Sequence, residues 1–192
     1  ISCLWEEHVN YFTPSNLKIA LEGMGFKVVE HCTYQFSGEA IFMLAVKEKD
    51  VQNFTLSSPQ DISLYKHYAP LVEQYTQMLK AKLIAYKEQG YQVALYGSGC
   101  RSSMILHGLS LDEHIDLIID DQQEKQGLFM SGNNIAIQGL STLEQHNKYV
   151  FILSVNHEND AIVSANIKAR MFDDVKYFQR ILLSILSIHS RM

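Results

Sequence analysis

A chain of 192 residues, 47% hydrophobic and 19% charged, has the length and composition of a globular protein with a real core. Its formal charge of −5 provides no basic footprint for sequence-independent binding to a nucleic-acid backbone. No apolar run reaches the ~18 uncharged residues of a membrane span; Ile181–Ile188 is short, and Ser184 and Ser187 interrupt it.

Cys3, Cys32 and Cys100 are far apart and form no CxxC pair, so neither a zinc ribbon nor a disulfide framework is expected. The simplest setting is a reducing cytoplasm. The histidines include no HxH or HExxH arrangement, and no metal site is expected. The first residue is Ile1, and Glu6 and Glu7 fall where a signal peptide would be apolar. The expectation is a chain that begins partway through a longer gene product, with a removed leader as the alternative.

In chain order, Thr13-Pro14 reads as a helix start, with threonine as cap and proline at the first helical position. Leu17, Ile19, Ala20, Leu21 and Met24 supply its apolar face, and Gly25 ends it. Phe26–Phe36 and Ala40–Val46 read as two strands joined by Ser37-Gly38-Glu39, an antiparallel hairpin. Residues 58–89 read as one long helix. Ser58 and Pro59 open it, and Ile62, Tyr65, Ala69, Val72, Leu79, Leu83 and Tyr86 recur mostly at spacings of three and four. Pro70 predicts a kink or break near Tyr68. The tyrosines on this helix, Tyr65, Tyr68, Tyr75 and Tyr86, suit half-buried packing or a ligand-facing stripe.

Beyond residue 90 the pattern changes. Tyr91–Tyr96 is an apolar strand that runs into Gly97-Ser98-Gly99, and Arg101–Leu109 follows as a helix. His114–Asp120, Asn134–Gln138 and Tyr149–Val155 are further strand candidates, with a short helix near Thr142–His146. The tail from Asn159 reads as helix in two pieces. Strand, glycine turn, helix and strand open a doubly wound α/β domain. The fold class expected is α/β: a helix and hairpin over 1–50, a helical connector over 51–90, and a Rossmann-like domain with a parallel sheet over 91–192.

Two features of that domain carry chemistry. Gly97-Ser98-Gly99 is either a tight structural turn or an anion site, in which the next helix offers free N–H groups and Arg101 adds charge. Asp120-Asp121 closes the second strand, where an acid holds a ribose hydroxyl in dinucleotide folds; the alternative is a solvated strand end. Ser102 and Ser103 stand near the place of the third glycine, which weakens a nicotinamide reading.

The segment Trp5-Glu6-Glu7-His8-Val9-Asn10-Tyr11-Phe12-Thr13, followed by Leu17 and Gly25-Phe26-Lys27-Val28, resembles the late part of the class I methyltransferase domain of sugar C-methyltransferases. Tyr96-Gly97-Ser98-Gly99-Cys100-Arg101, Ile118-Ile119-Asp120-Asp121, Lys125-Gln126-Gly127, Gly132 with Ile135-Ala136-Ile137, and Val150–Asn156 resemble the C-terminal domain of that family in order and spacing. The departures are Trp5 for a tyrosine, Arg101 for a lysine, Ser131 and Ala136 for prolines, and Val155 for a tryptophan. Arginine keeps the charge but changes its geometry.

The resemblance implies S-adenosylmethionine-dependent methyl transfer to carbon of a nucleotide-linked keto-sugar, with the hairpin finishing a class I sheet. It implies His8 as the base that removes a C–H proton, with Glu7 assisting it. The substrate-binding residues it implies are Trp5, Tyr11, Tyr96, Gly97, Gly99, Arg101, Lys125 and Asn156. Complete family members carry a cysteine-rich zinc domain and a glycine-rich methyl-donor loop. Neither pattern occurs in these 192 residues, so the chain is expected to be inactive alone and to leave the donor site elsewhere. The alternative is a non-catalytic module that only holds a nucleotide-sugar.

Overall fold

A computed structural model describes residues 10, 12–35, 39–48, 59–170 and 175–178. The chain forms two compact units that divide between Leu71 and Val72, inside the long helix.

In the first unit, Thr13 caps α1 (Pro14–Gly23): its hydroxyl accepts from Asn16 N at 3.2 Å, and Pro14 occupies the first turn. The chain then reverses through Gly25, whose φ of +85° lies in the left-handed region open to glycine. β1 (Phe26–Gln35) and β2 (Glu39–Lys47) pair antiparallel from Phe26↔Lys47 to Gln35↔Glu39, as the short connection predicts. A bulge at Val29 shifts the register once.

α2 (Pro59–Glu88) is one continuous helix that runs through Pro70, so of the kink or break expected near Tyr68 the break does not occur. Pro70 is exposed. Ser58 lies outside the described residues.

The second unit is the parallel α/β domain. Its strands are β3 (Tyr91–Tyr96), β4 (Leu117–Ile119), β5 (Ile137–Gln138), β6 (Lys148–Leu153) and β7 (Val175–Phe178). They form a five-stranded sheet in the order β5-β4-β3-β6-β7, and all four pairings are parallel. α3 (Cys100–Gly108) follows β3, and α4 (Asp160–Arg170) follows β6. Alternation along β3 divides the core. Tyr91, Val93 and Leu95 pack with Leu79 and Leu83 of α2 and with Ile105 and Leu106 of α3. Ala94 and Tyr96 pack with Phe151 of β6 and with Val163 and Ile167 of α4. Both faces are covered, which is why these strands are continuous apolar runs. Asp116 fixes the start of the sheet: its carboxylate accepts from Lys87 Nζ and from Val93 N, each at 2.8 Å. Burial against this core pushes the Tyr75 phenol up to about 12.

Four expected elements change. The strand expected over His114–Asp120 shortens to Leu117–Ile119, and His114 belongs to a 3-10 turn, Asp112–His114. The strand expected over 134–138 shrinks to Ile137–Gln138, because the Asn133 side chain takes Ile135 N at 2.6 Å and curls the chain. The helix expected near Thr142–His146 is a single 3-10 turn, Leu140–Thr142. Within the second helical piece expected in the tail, Val175–Phe178 is instead an edge strand. A β-branched residue and two aromatics favour extended backbone, and the open side of β6 supplies the ladder. Among the described residues, no helix is long and apolar enough to cross a membrane.

Candidate functional site

The sheet order carries the chain from β3 outward through β4 to β5, then back across to β6 on the other side of β3. Such a reversal leaves a crevice beyond the carboxyl ends of the two strands at which the order switches. Here that crevice is an open cleft of ≈ 440 Å³. Three loops border it: Gly97–Gly99 after β3, Asp120–Gln122 after β4, and Ser154–Asn156 after β6.

The first loop has the shape it has because residue 97 is glycine. Gly97 has φ +108°, and its N–H donates to Ile119 O at 2.7 Å. A Cβ built there would stand 3.0 Å from Ser154 Oγ and 3.1 Å from Ser102 Oγ. Those two hydroxyls are themselves joined: Ser154 Oγ donates to Tyr96 O at 2.7 Å and lies 2.7 Å from Ser102 Oγ. Both serines are almost fully buried, so this short chain of hydroxyls clamps β3, β6 and α3 together at the floor of the cleft. Gly99 then serves as the N-cap of α3, extended at φ −87° and ψ −175°, with open space where its Cβ would be. The first turn of α3 therefore presents helix N–H groups, and the positive end of the helix dipole, at the cleft. Arg101 beside it donates from Nη1 to Val155 O at 3.3 Å.

The acidic pair plays two different structural parts. Asp120 is buried and occupied. Its Oδ2 accepts from Ser98 N at 2.9 Å, Ser98 Oγ at 2.6 Å and Lys125 Nζ at 3.4 Å, and its Oδ1 accepts from Gln122 N at 3.0 Å. Burial by itself would raise this carboxyl. The Ser98 hydroxyl, the Gln122 N–H, the Lys125 charge and the Ser98 N–H outweigh it and hold Asp120 below the ordinary carboxylate value. Asp121 is exposed, and the Tyr96 hydroxyl donates to both of its oxygens, each at 2.8 Å. Burial, then the hydrogen bond and charge of Asp121 and the charge of Asp120, push the Tyr96 phenol well above its ordinary value, so it keeps the proton it donates.

Of the residues singled out in the sequence, Tyr96, Gly97, Gly99, Arg101, Asp120, Asp121, Lys125 and Asn156 line this one cleft. Glu7, His8, Trp5 and Tyr11 lie outside the described residues. Sequence reading did not select Ser102, Ser154, Gln122, Asn159 and Asn166, which also line the cleft. Ser154 directly follows the apolar strand β6, but only the sheet order shows that this strand stands at the switch. Asn159 and Asn166 had no signal, since only the docking of α4 brings them to the cleft. Among the described residues, no three His, Cys, Asp or Glu side chains gather as a metal site would require.

A family model described as the C-methyltransferase C-terminal domain matches residues 46–173, two thirds of the chain. The chain belongs to that family. The C-methyltransferase C-terminal domain match takes in the last residues of the hairpin, the whole of α2 and the parallel sheet as far as α4. The cleft and every residue described around it lie within the match. No curated protein matches the chain.

Proposed function

We propose that this chain is the C-terminal part of a bacterial, cytoplasmic S-adenosylmethionine-dependent C-methyltransferase of deoxysugar biosynthesis, and that its parallel-sheet domain binds a nucleotide-linked keto-sugar as methyl acceptor. In this reading residues 1–50 end the methyltransferase domain, 51–90 connect, and 91–192 receive the acceptor. The observation that carries it is the Gly97–Arg101 turn, which opens the N-terminus of α3 into a switch-point cleft. A helix N-terminus with an arginine beside it suits a pyrophosphate. Lys125 and Asn156 add a cation and an amide to the same cleft.

In this reading the methyl donor is held elsewhere in the full-length protein, and the chain alone does not turn over. On the acceptor, carbon becomes nucleophilic only when a neighbouring proton is removed and the enolate is stabilised. That role is assigned to His8, with Glu7 orienting it. His8→Ala in the full-length enzyme abolishes turnover if the assignment holds, and near-normal turnover removes it.

Calorimetric titration of the chain with thymidine 5′-diphosphate and with S-adenosylmethionine tests the division of labour. Binding of the first and not the second is the expected result. Tight binding of the methyl donor would overturn it. Retention of nucleotide-sugar binding by a full-length protein without turnover would instead favour a non-catalytic module.

A further inference from the structure

We infer that Asp121 fixes the direction in which the ligand lies, by accepting a hydrogen bond from a hydroxyl of its pentose, so that the nucleoside covers the β4 end of the cleft and the keto-sugar covers the β6–α4 end. This inference rests on the nucleotide-sugar reading above. It begins with lateral order. β4, β3 and β6 are neighbours in the sheet and all parallel, so the loops that follow them lie side by side, about 4.8 Å per strand. A ligand whose diphosphate sits on the middle loop, at Gly99, must send its two ends to opposite sides.

Those two sides differ in chemistry. On the β4 side the acid presented to the cleft is Asp121, whose carboxylate accepts hydrogen bonds and donates none; the exposed Gln122 amide stands beside it, and the Lys125 ammonium is paired with Asp120. The Tyr96 hydroxyl orients it through both oxygens and leaves further lone pairs open to the cleft. Asp120 beside it is occupied by Ser98, Gln122 and Lys125, so Asp121 is the acid with acceptor capacity to spare. A carboxylate takes a ligand hydroxyl strongly and repels a phosphate. On the β6–α4 side the cleft is lined by Asn156, Asn159 and Asn166, which are uncharged and whose amides both donate and accept. A keto oxygen on the β4 side would lie against the Asp121 carboxylate, which repels its partial negative charge, whereas the asparagine side offers amide donors and carries no charge. Pentose hydroxyls need only an acceptor.

The test is a titration of the whole chain with thymidine 5′-diphosphate and with 3′-deoxythymidine 5′-diphosphate, which lacks the pentose hydroxyl. Wild type should bind the second at least about tenfold more weakly, the usual size of a hydrogen bond to a charged group. In Asp121→Ala the two ligands should bind within about twofold of each other, because the loss of hydroxyl and of carboxylate report one interaction. Tyr96→Phe keeps the carboxylate but releases it, and should give an intermediate preference. Circular dichroism of each variant establishes that it is folded. Equal binding of the two ligands by wild type overturns the assignment and leaves the nucleotide reading standing, as does a preference that survives in Asp121→Ala. Failure of both ligands to bind wild type overturns the nucleotide reading, and the assignment falls with it.

Discussion

The hydroxyl oxygens of Ser102 and Ser154 lie 2.7 Å apart, although 52 residues separate them in the chain. Ser154 donates onward to Tyr96 O, so two small side chains join a helix to two strands where the sheet reverses its order. Ser154→Ala removes both a donor and an acceptor from a buried place. It should cost on the order of 1–3 kcal/mol, and Ser102→Ala about 1 kcal/mol. The double variant should lose less than the sum, since the second change removes a group already deprived of its partner. Urea unfolding of the three variants measures this.

Gly97 and Gly99 should respond differently to a methyl group. Gly97→Ala places a Cβ at φ +108° and within 3.0–3.1 Å of the two serine oxygens. It should destabilise by at least about 1–3 kcal/mol. Gly99→Ala adds its Cβ to open space at an ordinary φ and should cost only about 1 kcal/mol as a poorer N-cap. Thermal unfolding of the pair separates the two roles, and equal losses would contradict this account of the turn.

Asp120 makes the domain acid-sensitive. Its carboxyl is held below the ordinary value in the folded state, so in the window below about 3.9 the unfolded chain binds more protons. The stability from Asp120 is thus present above the unfolded value and is lost as pH falls through the folded one. Asp120→Asn should cost about 1–3 kcal/mol at neutral pH and flatten the stability curve across that window. An unchanged acid limb would show that other carboxylates dominate it.

Cys100 provides a footprint of the cleft. Its side chain is exposed and lines the cleft, whereas Cys32 is exposed on β1 in the other unit. Thymidine 5′-diphosphate at about ten times its Kd should slow alkylation of Cys100 about tenfold and leave Cys32 unchanged. Peptide mass spectrometry after timed N-ethylmaleimide treatment reads both sites in one sample. Equal rates with and without nucleotide would place the ligand away from Gly99 and Cys100.

Alkaline stability depends on Tyr75. Burial raises its phenol to about 12, so the unfolded chain loses its proton first, near pH 10. The contribution is fully present below about pH 10 and disappears as pH rises through about 12. Tyr75→Phe should reduce the alkaline slope, as measured by thermal unfolding between about pH 9 and pH 12.

Much of the fold is written in local pattern. Thr13-Pro14 and Gly25 delimit α1, the paired β-rich runs form the hairpin, and the apolar run before Gly97 forms the central strand. Local cues misjudged 134–138 and Val175–Phe178. In one case a single Asn133 side chain takes a backbone donor, and in the other a strand forms only because β6 has an open side.

By itself the sequence determined the α/β class and the glycine turn ahead of α3, because turns, caps and apolar periods are short-range properties of the chain. Only the tertiary structure decided that β6 lies beside β3, and hence that Ser154, Asn156, Asn159 and Asn166 face Gly97 and Gly99 across one cleft. It also decided which of two adjacent acids is spent on the fold and which is presented to a ligand. Adjacent residues at a strand end point in different directions, and what each meets depends on chain brought in from more than 20 residues away.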